Sequence, residues 1–355
     1  MFKVLDLFCG AGGFSNGLEQ IDDFTCVLGV DFNKHALETF EYNHKNAQAL
    51  FCDISQDKNK KQIISLAKEL CVNTIIGGPP CQGFSLQGKR LGLNDPRNYL
   101  FKDFLEVVKG INPKLVIIEN VKTLVSTSSG YFFNEIINTL RKLGYSSDYR
   151  VLNAKDFGIP QNRERLFIVA TKGFNFTFFK LYQTAKDVNI EEAISDLSFL
   201  NSNEGSFEQD RLYETKSEYQ KLLANCEKLY NHKSAKHTEK SIYKMSLIKQ
   251  NDNGLKILPS DLKTKTKFIG AWCRLKNNDI SGTIDTRFDA PSGGRYIHPT
   301  LNRTITPREA ARIQSFSDNF IFLGSQTEVR KQIGNAVPPL LAKAIAQSIT
   351  EQVNE

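Results

Sequence analysis

The sequence predicts an α/β protein with a doubly wound, mostly parallel sheet and a second, smaller, basic domain. Three observations carry this. Short apolar runs alternate with helical periods over the first ~120 residues, as in repeated β-α units. Three of those runs stop at an acid: Asp31, Asp53 and Glu119. The alternation ends after about residue 171, gives way to a stretch rich in Lys, Asn, Ser and Tyr, and returns near the C-terminus.

In order, residues 3–8 form an apolar strand that runs into CGAGGFSNGLE, a glycine-rich turn opening a helix. Residues 25–30 are the next strand, and 34–43 have helical spacing. Residues 47–52 are a third strand, and 60–70 alternate charged and apolar residues at helical period. Residues 74–76 form the fourth strand, 99–110 a helix, and 114–118 a fifth strand ending at Glu119. In open sheets of this kind, ligands bind beyond the carboxyl ends of the strands. Farther on, 306–316 read as a helix with Pro307 in its first turn, and 336–353 as a last helix packing back onto the sheet.

The seven cysteines contain no C-x-x-C pair, and their number is odd, which fits reduced thiols in a cytoplasmic protein better than a disulfide framework. No metal is expected, because the five histidines make no ligand spacing with the cysteines. His232 and His237, in a lysine-rich stretch, read as solvated. The start MFKVLDLFCG lacks a basic leader and cleavage site, and no apolar run is long enough for a bilayer, so no membrane partner is expected. Net charge is +7, and residues 211–300 hold 17 Lys and Arg against 9 Asp and Glu. A basic segment beside a near-neutral one points to a polyanion-binding module.

Four strings carry chemistry. DLFCGAGG, residues 6–13, followed by Asp31 and Asp53 at the ends of the next two strands, is a nucleoside-binding arrangement, with Asp31 placed for ribose hydroxyls and Asp53 for an adenine amino group. It lacks G-K-[ST], which excludes a triphosphate loop. GGPPCQGFS, residues 77–85, presents Cys81 on a stiff frame at a strand's carboxyl end. Read alone, Cys81 is as readily a small buried hydrophobe. Glu119 in ENV would share its sheet edge, and burial would favour its neutral, proton-donating form; as a strand-end acid it equally suits helix capping. In QNRER, residues 161–165, a strand start would put Arg163 and Arg165 on one side, suited to phosphate or a carbonyl oxygen. A surface ion-pair ladder is the alternative.

The ordered set DLFCGAGGFS, GGPPCQGFS, ENV, QNRER, RTITPREAARIQSF and QIGNAVPPLLA resembles the DNA (cytosine-5)-methyltransferase family. It spans residues 3 to about 349 and leaves only about 172–300 unmatched. The cysteine after Pro79-Pro80 separates it from the exocyclic-amine methyltransferases. Ser317 stands where the family often has proline.

The resemblance implies a Rossmann-like methyltransferase domain over 1–180 and 301–355, and a target-recognition domain over 181–300. It makes Cys81 the nucleophile, Glu119 the group that holds and protonates ring nitrogen 3, and Arg163 and Arg165 the residues that orient the cytosine and stabilise the loop carrying Cys81. S-adenosyl-L-methionine would lie over Phe8, Gly10 and Gly12, with Asp31, Asp53, Pro79 and Asn335 completing its site. Double-stranded DNA would be the partner, its cytosine flipped out. Ser85, Gln87, Lys89, Arg90 and Arg97 lie on a loop suited to closing over it. Asp285, Arg287 and Arg295 are candidate base readers. A prokaryotic, monomeric modification enzyme is expected, with a cognate restriction endonuclease on another chain. The RNA-directed branch of the family and a non-catalytic DNA-binding regulator stay open beside it.

Overall fold

The computed structural model describes residues 1–80, 99–183, 186–266 and 270–353. The chain divides into two compact units, one of residues 1–153, 164–183 and 339–355, the other of 154–163 and 184–338.

The first unit is built on a seven-stranded sheet in the order β3-β2-β1-β4-β5-β7-β6. Its strands are β1 (Phe2–Leu7), β2 (Phe24–Asp31), β3 (Gln48–Phe51), β4 (Thr74–Gly77), β5 (Leu115–Val121), β6 (Ser146–Asn153) and β7 (Glu164–Thr171). The first five are parallel, and β7 runs antiparallel to both β5 and β6. Strand order reverses between β1 and β4, the place where such sheets open a crevice for ligands. The central strands are apolar throughout: Ile75, Ile76, Val116 and Ile117 are fully buried.

Helices α1 (Gly13–Leu18), α2 (Lys34–Asn43), α3 (Asp57–Glu69), α4 (Leu100–Ile111) and α5 (Tyr131–Lys142) connect the strands. Helix α4 packs between α3 and α5, burying Phe101, Phe104 and Val108 against Ile63, Phe132 and Ile136 in one cluster with the sheet. The C-terminal helix, Pro339–Val353, packs on α1. A Cβ at Gly17 would stand 2.2 Å from the Pro339 carbonyl, so the crossing needs glycine there.

The second unit holds a two-stranded antiparallel sheet, β8 (Gly205–Asp210) and β9 (Lys228–Lys233), and helices α6 (Ile190–Ile194), α7 (Glu218–Leu223), α8 (Glu239–Ser246), α9 (Pro307–Ile313) and α10 (Gln326–Asn335). Helix α9 starts as expected, with Pro307 at its first position and a Thr306/Glu309 capping box. It is wholly buried, arginines included. Arg303 forks onto both oxygens of Glu309 at 2.7 Å. Arg312 meets Asp318 at 2.6 Å and Asp196 at 3.2 Å, with Arg211 on both acids. Arg308 donates to the carbonyls of Tyr230, Ser317 and Phe320. These bonds tie 301–338 to 190–231, so the compact division falls at 338 where the sequence boundary fell at 300.

The histidines in this unit are not solvated as their lysine-rich surroundings suggested. His232 is fully buried between the Thr306 hydroxyl (2.9 Å) and the Leu197 carbonyl (3.0 Å), and burial pushes it down to about 4. His237 is half-buried against Thr304 at 3.0 Å. Among the described residues no helix is long and apolar enough to cross a membrane.

Candidate active site

The parallel register brings the strand ends of the first unit to one edge. Leu7 pairs with Val30 and Gly77, Gly77 with Ile118, and Asp31 with Phe51. The residues just beyond these positions, Phe8 to Gly12, Asp31, Asp53, Gly78-Pro79 and Glu119-Asn120, therefore share that edge.

The turn after β1 is left-handed at Phe8 (φ 60°), Gly10 (54°) and Gly12 (92°). Glycine takes this conformation freely, whereas a phenylalanine there stores strain of the kind found at functional turns. Asp31 anchors the turn: its Oδ2 accepts from the Gly10 amide and its Oδ1 from the Asn33 amide, both at 2.8 Å. Burial raises this carboxyl above the usual range. A Cβ built on Gly10 meets nothing within 4 Å, so open space lies over the turn. Phe32, next to Asp31, is 68% exposed. Sequence reasoning passed over it, although a bulky aromatic directly after a strand-end acid was the signal. Asp53 is exposed, its Oδ1 accepting from the Ser55 amide at 2.9 Å.

Beside this turn, Gly77 and Gly78 make room for specific atoms. A Cβ on Gly77 would lie 2.4 Å from the Leu7 carbonyl, and one on Gly78 would lie 2.9 Å from Glu119 Oε2. Glu119 and Arg165 are both mostly buried, and Arg165 Nε lies 3.0 Å from Glu119 Oε1. A guanidinium at that distance fixes the orientation of the carboxyl group. Asn120, missed from the sequence, is 7% exposed. Its Nδ2 donates to the Pro79 carbonyl at 2.9 Å, tying ENV to the diproline.

Arg163 does not share a strand face with Arg165. Strand β7 begins at Glu164, and Arg163 belongs to the second unit. There it is 2% exposed and donates to the carbonyls of Ile284 (3.1 Å), Gly334 (3.0 Å) and Ala336 (3.0 Å). A guanidinium so engaged braces backbone and does not reach for phosphate. Gln161 joins it, accepting from the Ile284 amide at 2.9 Å and bonding Gln314, which donates to the Ile333 and Ala336 carbonyls. Gly334 packs on the next residue, where a Cβ would meet the Asp285 carbonyl at 2.4 Å. Strings far apart in sequence thus frame exposed Asn335, and Arg163 was legible as important but not in this role.

Of the candidate readers, Asp285 accepts from the Arg287 amide at 2.7 Å, Arg287 is exposed, and half-buried Arg295 donates to the Arg274 carbonyl at 2.8 Å. Cys81, Ser85, Gln87, Lys89, Arg90 and Arg97 lie outside the described residues. Among the described residues no group of three or more His, Cys, Asp and Glu is placed to hold a metal.

The model of the C-5 cytosine-specific DNA methylase family matches residues 2–351. The chain is 36% identical to the Type II methyltransferase M1.HphI of Haemophilus parahaemolyticus, over 97% of this chain and 86% of that one. It is 34% identical to M.DdeI of Desulfomicrobium norvegicum, over 98% and 88%. In fold it is similar to a candidate DNA modification methyltransferase encoded within an Escherichia coli prophage (TM-score 0.81, 24% identity, all of both chains). It is also similar in fold to Spodoptera frugiperda DNMT2 (TM-score 0.63, 17% identity, 99% of this chain and all of that one).

Proposed function

The chain belongs to the C-5 cytosine-specific DNA methylase family and is a DNA methyltransferase of the restriction-modification type; from that premise we propose that it flips one cytosine out of a short duplex sequence and methylates it through a covalent adduct to Cys81. The observation that carries the proposal is Glu119, fixed by Arg165 and given room by Gly78, at the sheet edge where the Gly-Gly-Pro-Pro run leads into Cys81.

Cytosine carbon 5 is a poor nucleophile. Addition of the Cys81 thiolate to ring carbon 6 pushes the ring electrons toward nitrogen 3, where Glu119, in its protonated form, holds the ring and gives nitrogen 3 its proton, taking it back when the thiolate is expelled. Carbon 5 then has enamine character and can accept a methyl group. Afterwards the carbon 5 proton leaves to a base, the ring double bond reforms and the thiolate is expelled. Arg165 keeps Glu119 oriented throughout, and Asn120 holds the Pro79 carbonyl.

Bound S-adenosylmethionine would supply a methyl group on a positively charged sulfur. The residues present fit it: open space over Gly10, the Asp31 carboxylate for hydroxyls, Asp53 for an amino group, exposed Phe32 for an apolar ring face, with Phe8, Gly12 and Pro79 completing the set. Following Cys81 in the sequence, Ser85, Gln87, Lys89, Arg90 and Arg97 would engage DNA, and Arg287 and Arg295 would face bases or phosphates from the recognition domain. The setting is a bacterial cytoplasm, with a monomeric enzyme shielding DNA from a cognate endonuclease.

The test is methyl transfer from labelled S-adenosylmethionine to duplex DNA and to tRNA, by the wild type and Cys81→Ser, with bisulfite sequencing of the DNA. Cysteine-dependent label at cytosine in one DNA context is expected. Label confined to RNA, or transfer that survives Cys81→Ser, would overturn the proposal.

A further inference from the structure

His44 takes no part in the chemistry above, yet its side chain is fully buried behind the turn that carries Gly10 and Gly12. It closes α2 as the C-cap, and its ring stacks on Phe40 with centroids 4.5 Å apart. Its two nitrogens face the two ends of α1. A Cβ on Gly12, the residue preceding the helix, would fall 2.1 Å from His44 Nε2, so the imidazole edge lies directly against that backbone. At the other end of the six-residue helix stands Glu19, its C-cap, whose Oε2 lies 2.6 Å from His44 Nδ1. The second oxygen of Glu19 accepts from the Cys26 amide of β2 at 3.1 Å.

The consequence is mechanical. Gly10 is anchored to Asp31 at the end of β2, and Glu19 is anchored to Cys26 near its start. Between these anchors, the groups under Gly12 are the His44 ring, held by the Glu19 carboxylate, and the Phe40 phenyl on which it stacks. A buried, hydrogen-bonded aromatic plate cannot shift without breaking that bond. It limits how far Gly12 can sink toward α2.

We infer that His44, held by Glu19, is a positioning residue that sets the glycine turn for the methyl donor. This rests on the reading of the turn as the S-adenosylmethionine site. His44 touches neither donor nor DNA in this scheme. It acts through Gly12, so its loss should weaken donor binding and spare the chemical step.

The test uses the full chain, with S-adenosylhomocysteine binding by titration calorimetry and steady-state methylation of duplex DNA. For His44→Ala and Glu19→Ala, the loss of one charge-assisted bond and a packed ring should weaken S-adenosylhomocysteine binding by roughly tenfold. KM for S-adenosylmethionine should rise in parallel, with kcat at saturation and DNA affinity close to wild type. If His44→Ala does not fold, His44→Phe keeps the stacked plate, gives up the Glu19 bond, and should show a smaller shift in the same direction. A folded variant with unchanged S-adenosylhomocysteine affinity, or one that loses kcat at unchanged KM, overturns the inference alone. A wild type that binds no S-adenosylhomocysteine removes the donor reading and this inference with it.

Discussion

Arg163 donates to the carbonyls of Gly334 and Ala336, at 3.0 Å each, on either side of Asn335. One guanidinium thereby fixes the backbone that presents an exposed amide. The fork geometry is what makes this work, because an ammonium is a point donor and cannot serve three carbonyls in a plane. Arg163→Lys should lower the unfolding free energy by about 2–4 kcal/mol through buried carbonyls left unpaired. Denaturant unfolding would measure it.

Gly78 is the most sensitive small residue near Glu119. An added methyl would sit 2.9 Å from Glu119 Oε2, and the carboxylate cannot retreat freely because Arg165 holds the other oxygen. Gly78→Ala should therefore displace the carboxylate while leaving the sheet intact. A misplacement of this size costs on the order of a hundredfold in kcat. Methylation kinetics beside a thermal melt would show it. A kcat within a few-fold of wild type would mean Glu119 is not held as tightly as its neighbours suggest.

What could be read in the sequence follows from what is local. Strand-end acids appear as an acid after an apolar run: Asp31 ends β2 and Asp53 lies two residues beyond β3, whereas β5 runs two residues past Glu119 to Val121. Glycine turns announce themselves, and the turn after β1 is left-handed where its glycines fall. Partners across the fold are another matter. Alternation in QNRER implied a strand from its start, but β7 begins at Glu164, so Arg163 escapes the period-two pattern. Asn120 matters through a carbonyl 41 positions away, and His44 through an acid 25 positions away. Composition misled at His232, where exposed lysines on neighbouring positions disguise a buried ring. The same limit moved the boundary near 300: Arg303 before α9, and Arg308 and Arg312 on it, look like surface until their acids and carbonyls are located.

His232 makes the second unit sensitive to acid. Burial lowers it to about 4 from an ordinary value near 6.5, and its two hydrogen bonds leave no place for a hydrated cation. A depressed folded value means stability present above about pH 6.5 and lost as pH falls toward 4, by on the order of 3 kcal/mol. Buried His298, also lowered, adds to the same slope. Replacing His232 with Asn should flatten the profile between pH 6.5 and 4. Unfolding followed at several pH values would check it, and a slope unchanged by the substitution would assign the acid sensitivity elsewhere.

Asp6 gives the first unit the opposite slope. It is 1% exposed at the end of β1, accepts from Ser15 Oγ at 2.7 Å, and is raised to about 7, chiefly by burial and further by Asp31 and Glu19. The folded state therefore keeps a proton that the unfolded chain has already released. Stability is fullest below about pH 4 and declines as pH rises to about 7, by on the order of 4 kcal/mol. An amide mimics the protonated acid and still accepts from Ser15, so Asp6→Asn should stabilise the unit at pH 8 and change little at pH 4. The measurement is the difference in unfolding free energy between wild type and Asp6→Asn across pH 4–8. A difference that grows with pH supports a buried acid titrating near neutrality, and a flat one means Asp6 is already ionised in the folded chain.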